Sequence, residues 1–357
     1  MYFRRLTFAL ALLAAGAAGC SGGGGTPPAP RTPSPTPSAP AGVLQISQDP
    51  FVNPSTQHRT EVEPHLFAVG NTVVAAFQVG RSISGGSSDI GFASSFDAGA
   101  TWTSGFLPAM TVVSTPPGPF DTVSDPVVAY DAAHAVWLIA SLPVLFSNAP
   151  TPAVLVNRSS DGRNWSDPIS VAPEQVASDK DWIACDDART SPFYGHCYVE
   201  WDDPSALANG LIHMSVSADG GQTWSPPATT ADRAQGIGGQ PLVRPNGTVV
   251  VAIDDFNLAR VLAFVSNDGG ATWSATTVVS TIVDHADAGG IRSGPLPSAA
   301  VDGAGTAFVV WQDCRFRGGC AANDLVSSTS SDGVHWSGVA RIPIDATTST
   351  VDHFIPG

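Results

Sequence analysis

The sequence predicts an all-β fold assembled from repeated sheets, and three observations carry that expectation. An eight-residue turn pattern recurs along the chain, short Val/Ile/Ala/Phe runs alternate with Gly, Pro, Asn and Asp clusters, and helix signals are scarce. The pattern Ser-x-Asp-x-Gly-x-Thr-Trp occupies residues 95–102, 217–224 and 266–273, and versions one residue shorter occupy 159–165 and 330–336. Its chemistry explains why it repeats. A short Asp side chain accepts hydrogen bonds from backbone N–H groups just after it, Gly supplies the positive φ, and Trp lays a large apolar ring on the adjoining sheet.

From the amino terminus, Arg4 and Arg5 precede an apolar run over residues 6–18, too short to span a bilayer and shaped like a secretory signal. It ends Ala17-Ala18-Gly19-Cys20, which resembles the lipobox of bacterial lipoproteins, with Ala where Leu is usual. Residues 1–19 are therefore expected to be removed and Cys20 lipidated, which would place the mature protein outside the cytoplasm, anchored to a bacterial membrane or surface. Residues 20–42 are rich in Gly, Pro, Ser and Thr, a composition that cannot bury a core and serves as a tether. The globular body is expected over residues 43–357. Net charge of −15 argues against a nucleic-acid partner. Membrane contact is expected only through the lipid, and a monomer is expected. Beyond Cys20 the four cysteines most simply pair locally, Cys185 with Cys197 and Cys314 with Cys320; without paired CxxC spacing, metal binding by them is the weaker reading.

Within the body the turn aspartates fall at 97, 161, 219, 268 and 332, giving steps of 64, 58, 49 and 64 residues, lengths that suit four-stranded blades with variable loops. An apolar strand with a polar or proline-marked opening precedes each turn: Glu63-Pro64, Asp125-Pro126, Asp181-Trp182, Gln240-Pro241 and Pro297-Ser298. A second strand follows, such as residues 249–253 or 307–311. After the fifth turn, Asp352-His353-Phe354 looks like the opening of another innermost strand. The expectation is five complete blades, with a sixth truncated or completed partly by residues 43–52.

The recurring turn resembles the Asp-box, or BNR repeat, of the sialidase superfamily. That resemblance implies a six-bladed β-propeller, with the boxes between third and fourth strands on the face away from the ligand site. Ligands would then bind at the opposite mouth of the central channel. Residues expected there are Glu63, Arg81, Asp125, Asp181, Trp201, Asp202, Asp254, Asp313 and Arg315.

A sialidase resemblance also implies three arginines that hold the substrate carboxylate, an Asp acid/base, and a Tyr nucleophile helped by a Glu. Where the family opens its first blade with Arg-Ile-Pro, this chain has Val62-Glu63-Pro64, a carboxylate beside the place where the anion clamp should begin. Arg341-Ile342-Pro343 spells the tripeptide but follows the last box, on an outer strand. Asp89 stands near the family's acid/base position and is the catalytic candidate, while Arg292 and Arg315 are candidates for the later clamp. Clustered aspartates with carbonyl-rich loops also suit Ca²⁺, which takes six to eight oxygen ligands. The expected function is carbohydrate binding or hydrolysis, a glycoside hydrolase if an enzyme, without true sialidase specificity. The alternative is a non-catalytic propeller that binds a protein or peptide.

Overall fold

A computed structural model describes residues 42–83, 85–147, 149–172, 178–205 and 208–357. One compact unit comprises Ile46–Gly357. Of the preceding unit, Met1–Gln45, only residues 42–45 are described, without strand. The signal, the lipidation site Cys20 and nearly all of the tether lie outside the described residues.

Among the described residues nineteen strands lie in four antiparallel sheets, which divide into five blades, the first two joined by the single pair Ser87–Val123. Blade 1 holds β1 (Glu61–Val69), β2 (Thr72–Arg81), β3 (Ser87–Ser95) and β4 (Thr103–Phe106). Blade 2 holds β5 (Thr122–Asp131), β6 (Val136–Val144), β7 (Val154–Ser159) and β8 (Ile169–Val171). In blade 3, β9 (Asp179–Cys185), β10 (Cys197–Asp203) and β11 (Leu211–Ser217) are regular, and the outer edge is a single bridge from Met214 to Ala228. Blade 4 holds β12 (Gly236–Val243), β13 (Val249–Asp255), β14 (Arg260–Ser266) and β15 (Thr277–Thr281). Blade 5 holds β16 (Ser298–Val301), β17 (Ala307–Asp313), β18 (Asp324–Ser330) and β19 (Ala340–Arg341).

The first strand of each blade touches the first strand of the next, β1 to β5 to β9 to β12 to β16, the arrangement of a β-propeller whose innermost strands line a common axis. Apolar cores fill the seams between adjacent blades. Ile90 and Phe92 meet Trp137 and Ile139 between blades 1 and 2; Leu138 and Val156 meet Ile183 and Val199 between blades 2 and 3. Ile212 and Met214 meet Val251 and Phe264 between blades 3 and 4, and Val261 and Ala263 meet Val309 and Trp311 between blades 4 and 5.

The boxes are the wedges of these seams. In the fourth box, Ser266 donates to Asp268 (2.8 Å), while the N–H groups of Gly270 and Thr272 reach back to Ser266 and Asp268 (both 2.9 Å). With the turn locked, Trp273 is driven into the seam with blade 3, against Tyr198 and Phe264. Trp165, Trp224 and Trp336 likewise pack into the seam with the preceding blade. Gly333 shows why the box needs glycine: its φ is +80°, and a Cβ there would lie 2.6 Å from Val250 of blade 4.

Trp102 packs on the face of blade 1 that has no preceding blade among the described residues, beside Phe77, Val79 and Ala93. Ile46 and Phe51 cover that face, although residues 42–52 form no strand. The amino-terminal segment thus covers blade 1 without supplying an inner strand. At the other end the structure corrects the sequence reading, because residues 352–357 form no strand. The chain there is used up by single contacts instead, His353 N–H to the Asn323 carbonyl (3.0 Å) and Ile355 N–H to Gln312 (3.1 Å).

Both local disulfides are formed, Cys185–Cys197 and Cys314–Cys320.

Candidate functional site

Four of the five innermost strands carry a β-bulge at equivalent positions, each with a residue at positive φ: Glu63 (52°), Asp125 (49°), Lys180 (48°) and Gly238 (72°). A bulge opposes two residues to one on the partner strand and re-aims the side chain. Three non-glycine residues held in this sparsely populated conformation at one end of one axis are the clearest local sign of a site.

These re-aimed side chains meet. Lys180 Nζ lies 3.2 Å from Asp125 Oδ2, joining blade 3 to blade 2. The Gln78 amide donates to Glu63, and at 3.2 Å to the Ser124 hydroxyl, joining blade 1 to blade 2. Burial and then Asp125 push the Glu63 carboxyl upward, opposed by Lys180 and Arg81. Asp179 is pushed up by burial and Asp125, opposed by Lys180 and by Arg292. For Lys180 itself burial acts downward, but Asp125, Glu63 and Asp179 outweigh it and the ammonium is held. Lys180 is the only lysine in the chain.

Behind this layer lie carboxyls with nothing to bond. Asp181 and Glu200 are buried with both oxygens unpartnered, and Asp202 is buried with one oxygen free. Each is pushed well above the usual carboxylate range: burial leads, and neighbouring carboxylates add to it. Asp254, also fully buried and unpartnered, is pushed up to about 9 by burial, Asp255 and Asp284. Such groups keep their protons at neutral pH because an unpaired charge in a dry setting is costly. The mouth therefore combines proton-holding carboxyls with a lysine-paired carboxylate.

The other expected residues are placed differently. Arg81 is anchored by donating to the Gly86 carbonyl at 2.9 Å, close enough to Glu63 to stabilise its charge. Arg315 pairs with Asp313 (2.7 Å) and donates to the Ser280 hydroxyl, so both members are committed to each other and to the blade 4–5 connection. Trp201 is not displayed at the mouth. It is fully buried in the seam between blades 2 and 3, stacked on His213 at 5.3 Å, because it follows Cys197 and Val199 at alternate positions of β10, whose pairing with β11 is unbroken. Asp89 lies on β3, not in a loop, and pairs with Val79. Strand alternation sends its side chain to the opposite face of blade 1 from Gln78 and Glu63.

Lys180 and Glu200 were missed by sequence reasoning. Lys180 was legible in principle as a lone lysine at an innermost opening, and Glu200 as a single carboxylate in the apolar strand Cys-Tyr-Val-Glu-Trp.

Among the described residues one cluster could hold a metal ion: His285, Asp287 and Asp352, with ligand atoms within 4.8 Å of one another. Its Asp287 oxygens are unpartnered, while His285 Nδ1 and Asp352 are 3.0 Å apart. This set of one imidazole and two carboxylates suits a divalent cation of the zinc or manganese kind better than Ca²⁺.

The BNR repeat-like domain family matches residues 71–281. Three solved structures share the fold. The Hadza microbial sialidase Hz136 is 19% identical, with a TM-score of 0.50 over 78% of this chain and 57% of that one. The intramolecular trans-sialidase from Ruminococcus gnavus, bound to oseltamivir carboxylate, is 14% identical, with a TM-score of 0.55 over 82% and 86%. The α-L-arabinofuranosidase Arb93A from Fusarium graminearum, bound to an iminosugar inhibitor, is 13% identical, with a TM-score of 0.53 over 82% and 83%. The chain thus spans little more than half of the first and most of the other two. No curated protein matches the sequence.

Proposed function

Because the chain belongs to the BNR repeat-like domain family, we propose that its channel mouth binds and hydrolyses a neutral glycan, without sialidase specificity. The observation that carries this reading is the meeting of Glu63, Asp125 and Lys180 on bulged innermost strands, backed by the proton-holding Asp181. Glycoside hydrolysis needs one carboxyl that keeps its proton until the leaving oxygen takes it, and one ionised carboxylate beside it. Asp181 fits the first role, and Asp125, ion-paired with Lys180, fits the second. A sialic acid carboxylate would meet Glu63 where the sialidase pattern places the first arginine of its anion clamp, and a carboxyl there offers it no cation. Arg315 is already occupied by Asp313. Solved relatives include both sialidases and an arabinofuranosidase, and the acidic mouth favours the neutral-sugar kind.

The test is a panel of aryl glycosides, with arabinofuranosides first and a sialoside included. The expected result is turnover of a neutral glycoside, abolished in Asp181→Asn and Asp125→Asn with retained folding. Sialoside turnover would overturn the specificity. A panel without turnover, with a protein captured instead, would favour a non-catalytic scaffold. That second reading draws on exposed apolar residues on mouth-side loops, Ile83, Phe146, Leu258 and Phe316. We further propose that Cys20 carries a lipid and displays the propeller at the cell surface; mass spectrometry finding an unmodified thiol there would refute this.

A further inference from the structure

The face of blade 1 opposite the mouth network contains a cavity. The pairing of Val79 with Asp89 puts both side chains on the face covered by Ile46 and Phe51. The cover is incomplete. Between Pro50, Phe51, Phe106, Val113 and Thr115 remains a cavity of about 350 Å³, within the range of small-molecule sites, with Asp89 on its wall.

Asp89 is the feature that a packing fault would not produce. It is 0% exposed; Oδ1 accepts the Ile90 N–H at 2.8 Å, and the neighbouring Ser114 hydroxyl makes no well-formed hydrogen bond to Oδ2. Burial pushes its carboxyl up to about 7, against the stabilising pull of the Ser114 hydroxyl and the Ile90 N–H. Among the described residues no other charged one lines the cavity. The remaining wall is apolar apart from the Thr115 hydroxyl, with the Phe51 and Phe106 rings edge to face at 5.2 Å.

These features select a ligand class. A buried carboxylate with one oxygen left open is satisfied best by a cation or a charge-assisted N–H donor. An anion would be repelled, and a sugar would leave most of its hydroxyls facing phenyl rings and proline. What fits is an apolar body with one ammonium head. We propose that the cavity binds a small primary amine with a hydrocarbon body, its ammonium on Asp89 Oδ2 and its body against Phe51 and Phe106. This site is independent of the mouth and of any activity there.

Benzylamine, benzyl alcohol and benzoate, matched in shape and differing in head group, are titrated into the protein by calorimetry. Benzylamine should bind roughly tenfold or more tightly than benzyl alcohol, and benzoate not at all. Asp89→Asn should remove that advantage. Should this variant fail to fold, Phe106→Trp, which fills the cavity from a half-exposed wall, should block binding in its place. Asp125→Asn, at the mouth, should leave benzylamine affinity unchanged. Equal binding of alcohol and amine, loss of binding in Asp125→Asn alone, or no benzylamine binding to the intact protein would overturn the proposal.

Discussion

Asp254→Asn should stabilise this protein, and by an amount that depends on pH. Asp254 sits on β13 with no exposed surface and no hydrogen-bond partner on either carboxylate oxygen. Its pKa is pushed up to about 9, first by burial and then by Asp255 and Asp284. In the unfolded chain the same group titrates near 3.9. Between those values the native state holds a proton that the unfolded state has released. The contribution of this group is therefore fully present below about pH 4 and is lost as pH rises through the folded value. The slope for one proton is about 1.4 kcal/mol per pH unit. Asparagine keeps the shape and removes the titration. Urea unfolding of both proteins at pH 5, 6, 7 and 8, with disulfides intact, should give a stability difference that shifts in favour of the variant by about 1.4 kcal/mol per unit, or ~4 kcal/mol over the series. Parallel curves, with a difference constant in pH, would refute the claim that Asp254 is protonated in the native state.

Trp273→Ala should cost about 3–5 kcal/mol, because the ring is 4% exposed and wedged between Tyr198 and Phe264; calorimetric melting checks this, and a loss below about 1 kcal/mol would deny the wedge role of the box. Arg317→Ala removes the buried guanidinium 2.6 Å from both Asp324 and Asp345 and leaves them to Arg341, 2.8 Å from each, so it should cost about 1.5–3 kcal/mol. Because Asp345 precedes the last segment of the chain, limited proteolysis of the variant should begin there. The box carboxylate Asp219 is the acid-side counterpart of Asp254. Burial acts upward on it, but its bonds to Thr223, Ser217 and Gln222 hold it down to about 2. Its stabilisation is present above the unfolded value and is lost as pH falls through the folded one. Asp219→Asn should therefore cost about 1 kcal/mol at pH 6, reduced by solvent screening, and nothing near pH 2; a penalty unchanged at low pH in chemical denaturation would contradict this.

The fold was legible because its pins are local. Asp268 bonds a threonine four residues on, so the turn, its glycine and the tryptophan that follows are visible in one short window. Strands between the turns follow from apolar runs that fill seams on both faces. The mouth was legible only as a neighbourhood. Alternation along a strand decides which side chain faces the axis, and a bulge resets that alternation without leaving a sequence mark beyond the proline after Glu63 and Asp125. The bulge in blade 3 lies on β9 and lifts Lys180 into the mouth, while Trp201 follows Cys197 and Val199 into the core by the regular alternation of β10. Glu200 could not be ranked from sequence because the room for its carboxyl depends on Gly239 of the next blade, where a Cβ would lie 2.3 Å from the carboxyl carbon. The Asp89 cavity has walls drawn from residues 50–51, 106 and 113–115, segments that only the assembled blade brings together.

A chain with a single lysine offers chemists a single side-chain amine. Reductive methylation with isotope-enriched formaldehyde would place one reporter methyl pair at Lys180, with no competing side-chain resonance. Anything that enters the channel and disturbs the pairing with Asp125 would shift that one signal, so occupancy could be followed before any substrate is known.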